Sequence, residues 1–210
     1  MKITKMTPSK RIPDWYYAEL EDGTSLRVNV ALIADYSLYT GRELTEAETE
    51  SLKADAARVS VKTRALRIIG ARPMSRKELT DRLVQKGETA EAAEEAVDWL
   101  ESAGLLDDRE YAGMVVRHYA AKGYGGAKLR EEMYRRGVPK DLWEEALAQA
   151  PDPEEILDRL AAEKLRGKKP DRKEMKRITD GLLRRGYTWE QVRRAVDKYS
   201  EETEGFDEWQ

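Results

Sequence analysis

The chain has 210 residues, of which 40% are hydrophobic and 38% charged, with a mean hydropathy of −0.78 and a net charge of −3. So much charge on so little apolar content suits several small helical modules better than one large core. The absence of cysteine excludes disulfides, thiolate metal sites and a cysteine nucleophile, and a single histidine, His118, cannot build a zinc site alone.

Residues 1–30 are β-prone. Trp15–Leu20 and Ser25–Val30 flank Glu21-Asp22-Gly23-Thr24, and Asp-Gly between such runs signals a hairpin with a type I′ turn. Lys2–Met6 adds a candidate third strand. Ala31–Leu38 then reads as helical, and Thr45-Glu46-Ala47-Glu48 is a capping box that opens a helix running toward Arg58.

From about residue 58 the chain is helical and repetitive. Leu79-x3-Leu83-x3-Gly87 returns as Leu129-x3-Met133-x3-Gly137 and again as Ile178-x3-Leu182-x3-Gly186, with the glycines 50 and then 49 positions apart. The echo continues with Ala96, Ala146 and Ala195. A fixed period of this size signals one supersecondary unit used several times. Each repeat reads as helix–helix–Gly–helix. The glycines are expected as left-handed helix ends, and Trp99, Trp143 and Trp189 as core or seam. Helix starts are expected after Ser75, Thr89, Asp107, Asp152, Asp171 and Thr188.

These signals predict a mainly α fold of tandem three-helix repeats behind a small N-terminal extension that contains a β-hairpin. They divide the chain into an N-terminal extension (1–57), three repeats (58–106, 107–150 and 151–200) and an acidic tail (201–210). No 18-residue apolar run or signal-type N-terminus occurs, so the sequence reads as a cytoplasmic protein without membrane contact. The lack of a long heptad seam favours a monomer.

Charge is segregated by helix. The second helices carry net charges of +2, +2 and +3, while the third helices, with Glu88 counted in the first of them, carry −6, −2 and +1. The densest basic stretch, Lys164–Lys198, has a net charge of +8. Such a field attracts phosphate backbones or acidic protein surfaces. The candidate contact residues are Lys164, Arg166, Lys168, Lys169, Arg172, Lys173, Lys176, Arg177, Arg184, Arg185, Arg193 and Arg194 in this stretch. Arg76 and Lys77 join them from the first repeat, and Lys128, Arg130, Arg135 and Arg136 from the second. Tyr111 and Tyr124 are weaker candidates. No catalytic residue, metal ligand or cofactor is expected: the chain has no phosphate-cradling Gly-x4-Gly-Lys-Ser/Thr, no His-Glu-x2-His and no nucleophile elbow.

Several runs together resemble the RecX family. They are Arg64-Ala65-Leu66, Ser75-Arg76-Lys77-Glu78-Leu79, Gly104-Leu105-Leu106-Asp107-Asp108 with Tyr111-Ala112, and Gly125 through Leu129 and Met133 to Arg136-Gly137-Val138. The likeness covers about residues 1–199. Gly113 and Asp180-Gly181 depart from it by interrupting helices, each as a kink or a close contact. The resemblance implies that the tandem three-helix repeats form an elongated, curved array, and that the protein is a regulator that binds the RecA–DNA filament and suppresses its ATP hydrolysis and strand exchange in recombination and repair. Single- or double-stranded DNA is left open as a further partner. Two other readings remain at this level: a non-specific DNA-binding helical repeat protein, and a generic helical adaptor. A helix-turn-helix reading is opposed in repeats one and two by their acidic third helices.

Overall fold

A computed structural model describes residues 1–165 and 171–198, without the side chains of Lys164 and Leu165. Within these residues lie a three-stranded antiparallel sheet in the order β1-β2-β3 and ten α-helices. The chain divides into two compact units. The first holds Met1–Pro73 and Leu79–Leu106; the second holds Met74–Glu78 and the chain from Asp107 onward.

In the first unit, β1 (Ile3–Pro8), β2 (Trp15–Leu20) and β3 (Ser25–Asn29) lay Ile3, Ala18, Leu20 and Val28 on a common core with Leu32, Leu38, Leu44, Leu52 and Ala56. The β2–β3 turn differs from the expected type I′. Only Gly23 has positive φ (83°), and the Leu20 carbonyl accepts from Gly23 N–H at 3.0 Å while Leu20 N–H donates to Thr24 O at 2.8 Å. A three-residue loop needs one left-handed residue after an ordinary turn, not two. The Asp22 carboxylate accepts Thr24 N–H at 2.9 Å, and that bond holds its pKa below the usual carboxylate value.

Asn29 caps α1 (Val30–Asp35) through the Leu32 amide. Thr45 and Glu48 form the expected capping box of α2. That helix runs without a break from Glu46 to Ala71, through the boundary expected at 57/58. Ala56-Ala57-Arg58-Val59-Ser60 contains neither glycine nor proline, so nothing stops it. Two nearly opposite sides of α2 therefore serve two cores: Leu52 and Ala56 beneath the sheet, then, about half a turn round the helix, Val61, Ala65 and Ile68 against α4 (Ala90–Ser102). The helix α3 (Arg76–Gln85) buries Leu79 and Leu83, and Thr89 caps α4.

The second unit contains two further three-helix modules. The first consists of α5 (Asp108–Ala121), α6 (Gly126–Arg135) and a 3-10 turn (Lys140–Leu142) that leads into α7 (Trp143–Leu147). The second consists of α8 (Pro153–Leu165), α9 (Arg172–Arg184) and α10 (Trp189–Asp197). Each has its own apolar core, built on the repeated positions Leu129, Met133 and Ala146, then Ile178, Leu182, Ala195 and Val196. Gly87, Gly104, Gly123, Gly137 and Gly186 all take positive φ, as helix ends of this type require.

The two glycines inside helices differ. A Cβ at Gly113 would stand 2.5 Å from Gln149 Oε1, so that position is a close approach. At Gly181 only Arg184 lies near, at 4.0 Å, and α9 continues through it. The tryptophans also differ. Trp99 and Trp143 are half-buried, but Trp189 is 46% exposed. It is the first residue of α10, immediately after the Thr188 cap.

Candidate functional site

The second unit joins its modules by backbone contacts at the ends of the second helices. At one joint, the N-terminus of α6 meets the C-terminus of α9. Gly125 N–H donates to Arg185 O at 2.8 Å, and Ala127 N–H donates to Gly186 O at 3.1 Å. These are orphan groups of helix ends, and each end satisfies the other. The Arg185 guanidinium closes the joint by donating to the carbonyls of Lys122 (3.2 Å) and Gly123 (3.3 Å). Within the same unit, residues 74–78 make a related contact, here through side chains. Ser75 caps that helix through Glu78 N–H (3.1 Å), and its hydroxyl donates to the Arg136 carbonyl, the C-cap of α6. Arg76 N–H donates to Asp108 at 2.7 Å, and the Lys77 stem lies over Gly137.

The candidate cations sort into two kinds. In α6 they are engaged within the unit. Lys128 pairs with Glu131 at 2.7 Å, and that hydrogen bond raises its pKa. Arg130 reaches Glu144 at 3.1 Å, and Arg135 reaches Glu132 at 2.7 Å. Arg136 grips the same buried Glu132 and donates to Tyr119 Oη at 2.6 Å. Burial alone would raise the Glu132 pKa, but the bonds from Arg136 and Arg135 hold it below the usual value. Tyr119 is flanked by Arg136 at 4.9 Å and Lys122 at 5.1 Å from its ring centre, and its ring lies 5.8 Å from that of Tyr124. Tyr119 and Lys122 were absent from the sequence-derived set; their only signal is an aromatic residue one α5 turn ahead of a lysine.

In α9 the arrangement is different. Met175, Ile178, Thr179 and Leu182 are buried. At about 100° per residue, Lys173, Arg177 and Arg184 fall within about 40° of one another on the opposite face. All three are exposed, and among the described residues none of them makes an ion pair. Arg172 and Lys176 are exposed on the flank of this stripe. In α10, Arg194 pairs with Glu154 at 2.7 Å and Arg193 with Asp197 at 3.5 Å. Counting back one period, the positions of Arg177 and Arg184 are held in α6 by the ion-paired Lys128 and Arg135, and two periods back by Glu78 and Gln85. The stripe is thus unpaired only in the third module, among the described residues.

Lys164 lies at the end of α8 with its side chain outside the described residues, as are Arg166, Lys168, Lys169 and the acidic tail 201–210. Tyr111 is a core residue, 7% exposed, and Tyr124 packs beside that core. No helix among the described residues is long and apolar enough to cross a membrane, and they contain no group of three or more carboxylate or histidine residues placed to hold a metal.

Three family models match in order: the first three-helix domain of RecX over residues 62–100, the second over 107–147 and the third over 152–196. A regulatory protein RecX from Halorhodospira halophila is 31% identical over 155 residues, which is 72% of this chain and 96% of that one. Another from Streptococcus gordonii is 28% identical over 200 residues, 93% of this chain and 76% of the relative. A crystal structure of regulatory protein RecX aligns with a TM-score of 0.71 at 21% identity, covering 93% of this chain and 98% of that one. A structure of RecX from Lactobacillus salivarius aligns with a TM-score of 0.64 at 20% identity, over 70% of this chain and 98% of that one. At these identities the two structures establish a shared fold.

Proposed function

This chain belongs to the RecX family of regulatory proteins, and from that membership we propose that it binds the RecA–DNA filament and lowers its ATP hydrolysis and strand exchange. The outward stripe of α9 is the contact surface in this reading, and the observation that carries it is the unpaired set Lys173, Arg177 and Arg184. Cations already paired in place gain less from a new acidic partner than unpaired ones, because each paired cation must first give up its carboxylate. Arg136 is instead held inside its own module and Arg185 at the joint between two modules, and both add to the field without being free to move. The backbone-to-backbone joint makes α6 and α9 a stiff pair. A stiff pair bound across neighbouring filament subunits opposes the movement that ATP turnover needs. The proposal places the protein in the cytoplasm, as a monomer and without a cofactor.

The test is RecA ATP hydrolysis on single-stranded DNA with this protein titrated in. The parent inhibits near stoichiometric ratios. The triple variant K173E/R177E/R184E needs at least about tenfold more protein, since each reversed charge trades attraction for repulsion at a surface contact. Circular dichroism confirms that the variant stays folded, as all three side chains lie outside the core. Absence of inhibition by the parent, or equal inhibition by the triple variant, removes the reading.

Direct readout of duplex DNA by the third module is less well supported. The arginine pair of its third helix, Arg193 and Arg194, lies in ion pairs with Asp197 and Glu154.

A further inference from the structure

We infer that the outward face of the N-terminal sheet is a binding platform for single-stranded nucleic acid, with Tyr17 stacking on an unpaired base and nearby cations holding the phosphates. The strand register sets the face. Ala18, Leu20 and Val28 point into the core, so their neighbours point out. One outward row is Thr7–Tyr17–Arg27 and the next is Lys5–Glu19–Ser25. Tyr17 is 42% exposed although it lies in the middle strand. Beside it, the Arg27 guanidinium lies 4.3 Å from the Trp15 ring centre, which keeps that ring covered and the cation at the surface of the sheet. Lys10 and Arg11 are exposed on the β1–β2 loop at the same end.

Charge is polarised along this sheet. Lys5, Lys10, Arg11 and Arg27 make no ion pair among the described residues. The acids Glu21 and Asp22 sit at the β2–β3 turn, the far end from the loop. Within the basic region stand Glu19 and Asp14, which leaves a surplus of two cations. An exposed ring flanked by unpaired cations on an antiparallel face has the two elements that single strands need: a stacking surface and backbone neutralisation. Duplex DNA offers no free base face to Tyr17, and a sheet face presents no element to enter a groove. An acidic polypeptide would use the cations but not the ring. The inference concerns the first unit and is independent of the filament reading, which rests on α9.

The experiment is fluorescence anisotropy of a labelled oligo-dT with the full-length protein across a salt series. Tyr17→Ala is expected to weaken binding about tenfold, the loss of one stacked base, while Tyr17→Phe binds as the parent does. The double variant K10Q/R11Q lies outside the strands and keeps the test valid should Tyr17→Ala fail to fold. It weakens binding and makes the slope of log K against log salt shallower by about 1.4, two contacts at about 0.7 each. Both variants retain the parent's effect on RecA ATP hydrolysis. Any of these results overturns the inference: no dT binding by the parent; unchanged binding in both Tyr17→Ala and K10Q/R11Q; or loss of all dT affinity in K173E/R177E/R184E, which moves the site to α9. An oligoglutamate of equal charge that displaces dT, and binds Tyr17→Ala as well as the parent, overturns it in favour of an acidic-polypeptide surface.

Discussion

Gly186→Ala is expected to destabilise the second unit by about 3 kcal/mol, while Gly87→Ala, at the same position of the repeat, costs about 1 kcal/mol. Both glycines end a second helix in the left-handed region, with φ of 89° and 93°. An L side chain is disfavoured there at either site. The difference is what lies beyond. Around Gly87 a Cβ meets nothing within 4 Å, whereas at Gly186 it overlaps the Lys128 amide nitrogen at the joint with α6. Gly125 separates the two terms. Its φ of −86° suits any residue, but a Cβ would stand 2.5 Å from Gly186 O and 2.6 Å from Tyr187 N. Gly125→Ala therefore suffers only the overlap, about 2 kcal/mol, and strains the two backbone bonds that close the joint. Denaturant unfolding followed by circular dichroism, with the three variants side by side, reads this directly. Equal losses at Gly87 and Gly186 would mean that the joint contributes nothing to stability.

Glu132→Ala is expected to cost the second unit about 2–3 kcal/mol. Glu132 is 6% exposed and is the shared acceptor for Arg135 and Arg136. Removing it leaves the Arg136 guanidinium, itself only partly exposed, with Tyr119 as its remaining side-chain acceptor. The sign of the pH dependence follows from the same contacts. The folded state holds the Glu132 pKa below its ordinary 4.5. Its stabilisation is therefore complete above that value and is lost as pH falls through the folded pKa, because the unfolded chain binds the proton first. Unfolding measured between neutral pH and pH ~3 should show an acid limb that flattens in Glu132→Gln, which keeps the shape but not the charge. An unchanged acid limb in that variant would assign the acid sensitivity to other carboxylates.

The two largest expected effects thus fall on residues of opposite legibility. Gly186 is conspicuous in the sequence because Leu-x3-Leu-x3-Gly occurs three times. Its left-handed conformation follows from being the residue after a helix end. That Gly186 is a joint and Gly87 is open does not follow, because both carry the same local signal. Glu132 reads in the sequence as one more surface acid opposing basic neighbours, and its burial emerges only when α5 and α6 pack around Tyr119. Trp189 shows the reverse error, since its aromatic character suggested a core position, whereas on the first turn of α10 it stands 46% exposed.

The sequence alone determined the order of elements, the three-module period, most helix caps and the family, because each is written in spacing between near neighbours. Capping boxes at Thr45 and Thr188 and side-chain caps at Thr89, Asp107 and Asp171 are interactions over two or three residues. The tertiary structure alone decided which cations are spent and which are not. Arg130 finds Glu144 in α7 and Arg194 finds Glu154 in α8, whereas Lys173, Arg177 and Arg184 make no ion pair among the described residues. It also decided that α2 is one helix shared by two cores. Pairing across the fold depends on distances between residues far apart in the chain, and no local pattern encodes those distances.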